Sequence, residues 1–167
     1  MKTTRFRLYI STVITALILA AVVSTPALAH HSFAMYDQTK TLTLTGKLTR
    51  FVLGANHAQL LFELLGPDGK PQLDANGKPV TWGVETGSAK QLAGAGITVE
   101  TFPFGTIFTV SLWPLRDGRN FGAMTLTGGT LIGCGTTLPQ GGCTEKTGKT
   151  YLNGRNNQVN DFRGNGP

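Results

Sequence analysis

The sequence predicts an all-β protein, a small five-stranded OB-like barrel with one short helix between strands 3 and 4. Three observations predict this fold. Short apolar or alternating segments are separated by clusters of glycine, proline, aspartate and asparagine. A helix start follows the third of these segments, and further strand segments come after it. A β-sandwich is the alternative, because short strands separated by turns occur in both architectures.

Three strands are predicted before the helix. Residues 41–51 alternate polar and apolar side chains, and the apolar parity shifts in the second half. Gly46 is a candidate for the bend or bulge that permits this shift. Residues 59–65 form a second, more apolar segment, and residues 80–86 form a third. Alternation in the third places Glu85 on the face opposite the apolar side chains.

Two turn clusters with the same Gly-Lys-Pro ending separate the second and third strands. They are residues 66–71 and residues 74–79. One interpretation is a repeated loop that binds a ligand, and the other is the tip of an extended hairpin. The spacing alone leaves both open.

The helix is predicted from a capping box. Ser88 and Gln91 stand three residues apart, so the serine side chain and the glutamine side chain can each satisfy a backbone N–H of the first turn. Gly94 and Gly96 follow closely and predict an early end.

The last strands follow the helix. Residues 106–113 carry the strongest strand pattern in the chain, and Pro114 ends it. Residues 123–127 and 130–132 then predict a hairpin-like pair. We expect three large aromatic side chains of the predicted strands to lie in the core: Trp82, Phe108 and Trp113.

The first 29 residues have the pattern of a bacterial signal peptide. Three basic residues precede an apolar stretch from about residue 8 to residue 23, and Ala27-Leu28-Ala29 supplies the small residues that signal peptidase reads. The apolar stretch is shorter than the roughly 20 residues of a membrane span. We therefore expect cleavage after Ala29 and a periplasmic or secreted protein that begins at His30.

Composition divides the mature chain into a barrel domain, residues 30–132, and a Gly/Asn-rich tail, residues 133–167. The leader holds three of the 15 basic residues and no acidic residue, so the net charge falls from +6 to +3 on cleavage. No basic stripe interleaved with aromatic side chains is present, which argues against nucleic acid as a partner.

The tail contains both cysteines of the chain. Cys134 and Cys143 flank a glycine-rich loop, and in an oxidising compartment such a pair most often forms a disulfide. A thiol redox site or a copper(I) site is the alternative, although the spacing differs from C-x-x-C. Beyond residue 133 large apolar side chains are few, so a loosely ordered tail is expected.

With these features in place, the chain resembles the DUF6152 family of small exported bacterial proteins, a domain of unknown function. The resemblance spans about residues 30–132. The matching residues are His30 to Asp37, Leu42 to Gly46, His57, Trp82-x-x-Glu85-x-Gly87-Ser88, Leu92, Gly96 and Pro114-x-Arg116-Asp117-Gly118. It implies an exported protein with a β-barrel fold and no assigned activity.

The chain departs from this family before the second strand. Where the family shows a tryptophan and then Asn-Pro-His, this sequence has Leu53 and Ala55-Asn56-His57. Only the histidine is retained, and without the proline the backbone preceding it is less restricted.

Cleavage after Ala29 would create a candidate copper site. An N-terminal histidine offers two nitrogens, its α-amino group and its imidazole, and His31 or His57 would supply a third. Nitrogen ligands of this kind suit copper(II), whereas zinc prefers a closed tetrahedral set. The alternative is that His30 and His31 are solvent-exposed without a role and that His57 makes a local hydrogen bond.

Other side chains are candidates for supporting roles. Met35 could add a thioether for copper(I), and Asp37 or Glu85 could supply an oxygen or accept an imidazole N–H. Asp117 in Arg116-Asp117-Gly118 is expected to accept backbone N–H groups of a turn. No nucleophile with an adjacent base and no phosphate-binding loop is present, which predicts a binding protein rather than an enzyme.

The sequence leaves two candidate functions for the mature protein. In the first, the exported barrel binds copper through His30, His31 and His57. In the second, it is a metal-independent interaction module, whose barrel face and hairpin between Leu65 and Val80 hold a partner protein or a glycan.

Overall fold

A computed structural model of the chain describes residues 33–54, 57–124 and 130–153, with the backbone only of Leu152 and Asn153. The predicted leader and His30 and His31 lie outside these residues. A 3-10 turn, Phe33–Met35, precedes the regular elements. These are β1 (Leu42–Val52), β2 (Gln59–Leu64), β3 (Thr81–Glu85), α1 (Ala89–Gly94), β4 (Ile107–Pro114), β5 (Phe121–Met124), β6 (Thr130–Gly133) and β7 (Lys149–Asn153).

The first five strands close into a barrel. β1 pairs with β2 and β2 with β3, both antiparallel, and β3 pairs with β5 in parallel. β5 then pairs with β4, and β4 pairs back with β1. The predicted five-stranded barrel with a helix between strands 3 and 4 is therefore confirmed. The sandwich alternative is excluded because a single sheet closes on itself.

The predicted hairpin between the last two strand segments is wrong. β5 and β6 follow one another along the same edge of β4, where Leu112 pairs with Met124 and Val110 pairs with Leu131. β4 is eight residues long and offers enough edge for both segments, so each pairs with β4 rather than with the other. Residues 125–127 of the predicted fifth strand lie outside the described residues.

The bulge in β1 lies three residues after the predicted position. Leu48 pairs with Phe62 and Arg50 with Leu61, so Thr49 is the extra residue. Gly46 has a different role, because a Cβ atom there would overlap the Phe62 ring. At Gly46, β1 is paired with β2 and β4 at once, and the missing side chain lets Phe62 pack across it.

The barrel interior is filled by aromatic and aliphatic side chains. Phe62 and Phe108 meet edge to face with ring centroids 5.0 Å apart, and Phe102 continues the stack 5.4 Å from Phe108. The prediction for Trp113 is wrong. Phe108, Val110 and Leu112 face the interior, so alternation along β4 turns Trp113 to the outside.

The helix forms as its capping box predicts. Gln91 N–H donates to the Ser88 hydroxyl at 3.3 Å, and the Gln91 side chain accepts from Ser88 N–H at 2.8 Å. Gly96 has a φ of +79°, which ends the helix after six residues. Leu92 is fully buried and packs into the barrel core. Within the described residues, helices are too short to cross a membrane.

The two Gly-Lys-Pro clusters form two successive turns beyond β2. In the first, Gly66 N–H donates to Lys70 C=O, and in the second Asp74 N–H donates to Lys78 C=O. The Asp74 carboxylate accepts from two further backbone N–H groups of its turn. This is the extended hairpin tip of the second interpretation.

The C-terminal part of the described chain adds to the barrel. The predicted Cys134–Cys143 disulfide is present, with 5.8 Å between the Cα atoms. After it, β7 pairs antiparallel with β6. The expectation of a loosely ordered tail is wrong for residues 134–153, because Tyr151 packs against Phe102 with ring centroids 5.5 Å apart. This aromatic side chain anchors β7 to the barrel core.

Candidate functional site

The candidate site forms on the outer face of β3, around Glu85. Register places Glu85 between Gln59 of β2 and Ala123 of β5. Trp82 and Val84 pack in the barrel core, so Glu85 projects outward as the alternation predicted. The Glu85 side chain is 21% exposed, and each of its carboxylate oxygens faces a different partner.

The first partner is His57, at the end of the loop between β1 and β2. Its Nδ1 atom lies 3.4 Å from Glu85 Oε1 and 3.3 Å from Thr86 C=O. A carbonyl oxygen can only accept, so Nδ1 is the nitrogen that carries hydrogen. In the neutral ring the lone pair is then on Nε2, the arrangement found in metal-binding histidines whose other nitrogen donates to a carboxylate or carbonyl. The side chain is 36% exposed.

The second partner is Tyr36, from the segment that precedes β1. Its hydroxyl donates to Glu85 Oε2 at 3.2 Å, although the two residues are 49 positions apart in sequence. Tyr36 is buried, and burial together with the nearby Glu85 carboxylate raises the pKa of its hydroxyl well above the usual value. Tyr36 is therefore a neutral donor at physiological pH.

Three further hydrogen bonds fix this segment at the end of β4. Arg116 Nε donates to Ala34 C=O and Arg116 N–H to Met35 C=O, each at 3.0 Å. Asp37 N–H donates to Pro114 C=O at 2.8 Å. Residues 34–37 are thus bound along the outside of the barrel by backbone and side-chain contacts.

An apolar cluster lies beneath the Tyr36 ring. Tyr36, Leu115 and Ala123 are its buried members, and Trp113 and Phe121 pack against them. The Phe121 ring lies across Gly83 of β3, where the nearest ring atoms leave no room for a Cβ atom. The ring of Tyr36 is therefore held by packing while its hydroxyl reaches Glu85.

The two aspartates considered as candidates are engaged in their own turns. Asp37 accepts from the Thr39 hydroxyl at 2.6 Å, which lowers the pKa of its carboxyl group, and Lys40 Nζ lies 3.3 Å away. Asp117 accepts from Arg119 N–H and from Arg119 Nε, as expected for a turn residue, and these bonds lower its pKa. Of the carboxylates suggested as partners for an imidazole, Glu85 is the one that contacts His57.

The described residues do not by themselves complete a metal site. No group of three or more histidine, cysteine, aspartate or glutamate side chains in residues 33–54, 57–124 and 130–153 could hold a metal ion. His57 and its partner Glu85 belong to that region, whereas His30 and His31 lie outside it. Met35 is half-exposed in the 3-10 turn.

A groove of about 810 Å³ lies elsewhere on the barrel. Its walls are the start of β1, the first turn after β2 and the loop closed by the disulfide. The lining includes Thr43, Thr45, Leu65, Asp68, Gln72 and Leu138.

The fold and these contacts define a small all-β protein whose OB-like barrel carries a bound N-terminal segment. The chain belongs to a family of unknown function (DUF6152), whose model matches residues 18–124. The resemblance seen in the sequence is therefore confirmed. No curated protein and no solved structure shows a significant match.

Sequence reasoning did not single out Tyr36 or Thr86. Tyr36 stands within the segment His30 to Asp37 that the resemblance marks, but an aromatic residue before a strand does not indicate which carboxylate it reaches. Thr86 acts through its carbonyl group, which leaves no trace in the sequence.

Proposed function

We propose that the mature protein, beginning at His30, is a periplasmic or secreted copper-binding protein whose ligands are the His30 amine and imidazole, His31 and His57. The contact of Tyr36 and His57 with the same Glu85 carboxylate carries this proposal. It joins the segment that follows the leading histidines to the loop that holds the third histidine.

The length of the chain is compatible with a shared ion. His30 lies six positions before Tyr36, a span of at most about 22 Å when fully extended. The Tyr36 hydroxyl and His57 Nδ1 lie 3.2 Å and 3.4 Å from the two oxygens of Glu85. A chain of this length is long enough for the nitrogens of the leading residues to reach the His57 ring.

The donor chemistry favours copper(II). An α-amino nitrogen and imidazole nitrogens are strong ligands for this ion, which has the highest affinity among the divalent first-row metals for such sites. Glu85 and Thr86 C=O would hold the His57 ring so that Nε2 is the ligand, and such partners affect metal affinity by about 10- to 100-fold. The protein would carry or store the bound copper ion, which is a copper-handling role.

The test is a copper(II) titration of protein that begins at His30. A matched form whose His30 amine is acetylated keeps every side chain but has no free terminal amine, so its affinity should fall by about 100-fold or more. His30→Ala and His57→Ala should also lower the affinity. Unchanged affinity in the acetylated form would remove the proposed site.

Glu85 supplies a second, finer test. Glu85→Gln should lower copper affinity about 10-fold, because a neutral amide stabilises the His57 N–H less strongly than a carboxylate. Glu63→Gln is the matched control, since Glu63 lies on β2 opposite Thr81 in the same sheet. Equal affinities of the two variants would show that Glu85 does not position the ligand.

A second candidate function rests on the groove. Its volume of about 810 Å³ and its position beside the hairpin tip favour the interaction module, in which the histidines have no metal role. The discriminating result is full partner binding by metal-free protein.

A further inference from the structure

The register of β1 leaves part of one strand edge directed into the groove. β1 pairs with β4 from Leu42 to Lys47, but its pairing with β2 begins only at Gly46. Leu48 N–H donates to Thr106 C=O of the β4 side, so even-numbered residues of this half direct their backbone groups toward β4. The N–H and C=O of Thr43 therefore point the other way.

On that side the chain turns away before it can cover Thr43. Leu65 N–H donates to Thr45 C=O at 2.9 Å, and the next residue, Gly66, already closes the first turn by bonding to Lys70. Among the residues that the structure describes, no backbone group pairs with Thr43 on this side. A strand edge of this kind is a template for another extended segment.

The disulfide loop forms the wall opposite the hairpin. The Thr109 hydroxyl donates to Cys143 C=O at 2.7 Å, which fixes the loop over the outer face of β4. Cys143, Ile107 and Ile132 form a small apolar cluster with Leu65, and Leu138 packs against it. The edge of β1 thus lies at the floor of a groove with two defined walls, one of them crosslinked.

The lining also indicates the character of an occupant. Among the residues that the structure describes, the lining combines leucine, proline, threonine and glutamine side chains with glycine backbone, and Asp68 is its one ionisable side chain. The Asp68 carboxylate is 62% exposed, accepts from Lys70 N–H and lies 4.0 Å from the exposed Lys70 ammonium group. A positively charged side chain of the occupant would take the place of this Lys70 ammonium group beside Asp68.

We propose that this groove binds an extended peptide segment of a partner protein by strand addition beside Thr43. The peptide runs antiparallel to β1, in line with β2, and carries a lysine or arginine near its amino-terminal end, next to Asp68. Main-chain hydrogen bonds to Thr43 supply affinity, and the groove walls select the side chains. This proposal rests on the second candidate function, the interaction module, and is independent of copper binding.

The experiment is a selection of random heptapeptides from a display library against metal-free protein that begins at His30. Enriched peptides are synthesised, their affinities are measured by calorimetry, and their positions are mapped by amide chemical shifts. We expect shifts at Thr43, Thr45 and the disulfide loop. N-methylation at alternate peptide positions should lower the affinity at least 10-fold for one parity and leave the other within threefold.

Variants of the protein test the strand edge directly. Thr43→Pro removes the N–H that points into the groove while leaving the ladder to β4 intact, and it should lower the affinity at least 10-fold. Thr43→Val keeps the N–H and is the matched control, expected within threefold. Since the methylation series uses the unchanged protein, the proposal is tested even if Thr43→Pro fails to fold.

A pair of protein and peptide variants tests the predicted contact between Asp68 and a basic residue of the peptide. Asp68→Asn should lower the affinity of peptides with a basic residue two- to fivefold and leave peptides with norleucine at that position unchanged. Enriched peptides whose affinity survives both N-methylated series would overturn strand addition. Peptides that map to another face would overturn the groove but leave an interaction module, whereas no enrichment would reject both. Concentration-dependent dimers mapped to Thr43 would assign the edge to a second copy instead.

Discussion

Two segments outside the barrel strands cover its outer surface, and they are held in different ways. Residues 34–37 are bound by the buried ring of Tyr36, by Glu85 and by Arg116. Residues 134–143 are bound by a disulfide and by the Thr109 hydroxyl. The first segment leads from the proposed copper ligands, and the second walls the groove.

The two candidate functions depend on different physical contacts. The N-terminal segment, residues 34–37, is held by noncovalent contacts. Removal of a single hydroxyl group or a change in pH can therefore loosen it. The disulfide loop is held covalently and responds to reductant. Each segment can therefore be loosened separately.

The largest effect is expected at the disulfide. Replacing both cysteines, Cys134→Ser with Cys143→Ser, should lower the free energy of unfolding by about 2.5 kcal/mol, because the crosslink restricts the unfolded chain. Denaturant unfolding measures this, and reduced wild-type protein is the control. We expect copper affinity to be unchanged in the variant, and a parallel loss of copper binding would show that the two segments are coupled.

A smaller effect is expected at Tyr36. Tyr36→Phe keeps the packed ring but removes the donor to Glu85, and it should cost about 1 to 2 kcal/mol of unfolding free energy because the acceptor is charged. Tyr151→Phe is the matched control, since the Tyr151 hydroxyl makes a 3.4 Å bond to Thr101 C=O at an exposed position. A cost for Tyr36→Phe no greater than that of the control would mean that the Glu85 bond does not hold the segment.

The same hydroxyl predicts a response to alkaline pH. The pKa of Tyr36 is raised in the folded state, so its contribution is fully present below the unfolded value of about 10 and is lost as pH rises above it. Wild-type protein should therefore lose more stability than Tyr36→Phe between pH 9 and pH 11, values chosen about one unit on either side of that reference. Parallel pH curves for the two proteins would contradict this account.

Much of the barrel could be predicted from the sequence because alternation and turn residues are local signals. The segment around Glu85 and the capping box at Ser88 were predicted from such patterns. The pairing of β5 and β6 with β4 could not be, since it depends on which strand offers a free edge. The bulge at Thr49 was misplaced because Gly46 serves to admit Phe62, a contact between two strands.

The site was predicted only in part for the same reason. His57 and Glu85 were both recognised as candidates, but their contact depends on how the loop before β2 meets the end of β3. Tyr36 joins them across 49 residues of sequence. A spacing pattern cannot reveal a hydrogen bond of that range.

The most direct measurement is pulsed electron paramagnetic resonance of copper(II) bound to protein that begins at His30. It counts the imidazole rings on the ion through their remote nitrogens. The account predicts at least two rings in the wild-type protein and the loss of one in His57→Ala. An identical spectrum for wild-type protein and His57→Ala would contradict it, because the barrel would then contribute no ligand.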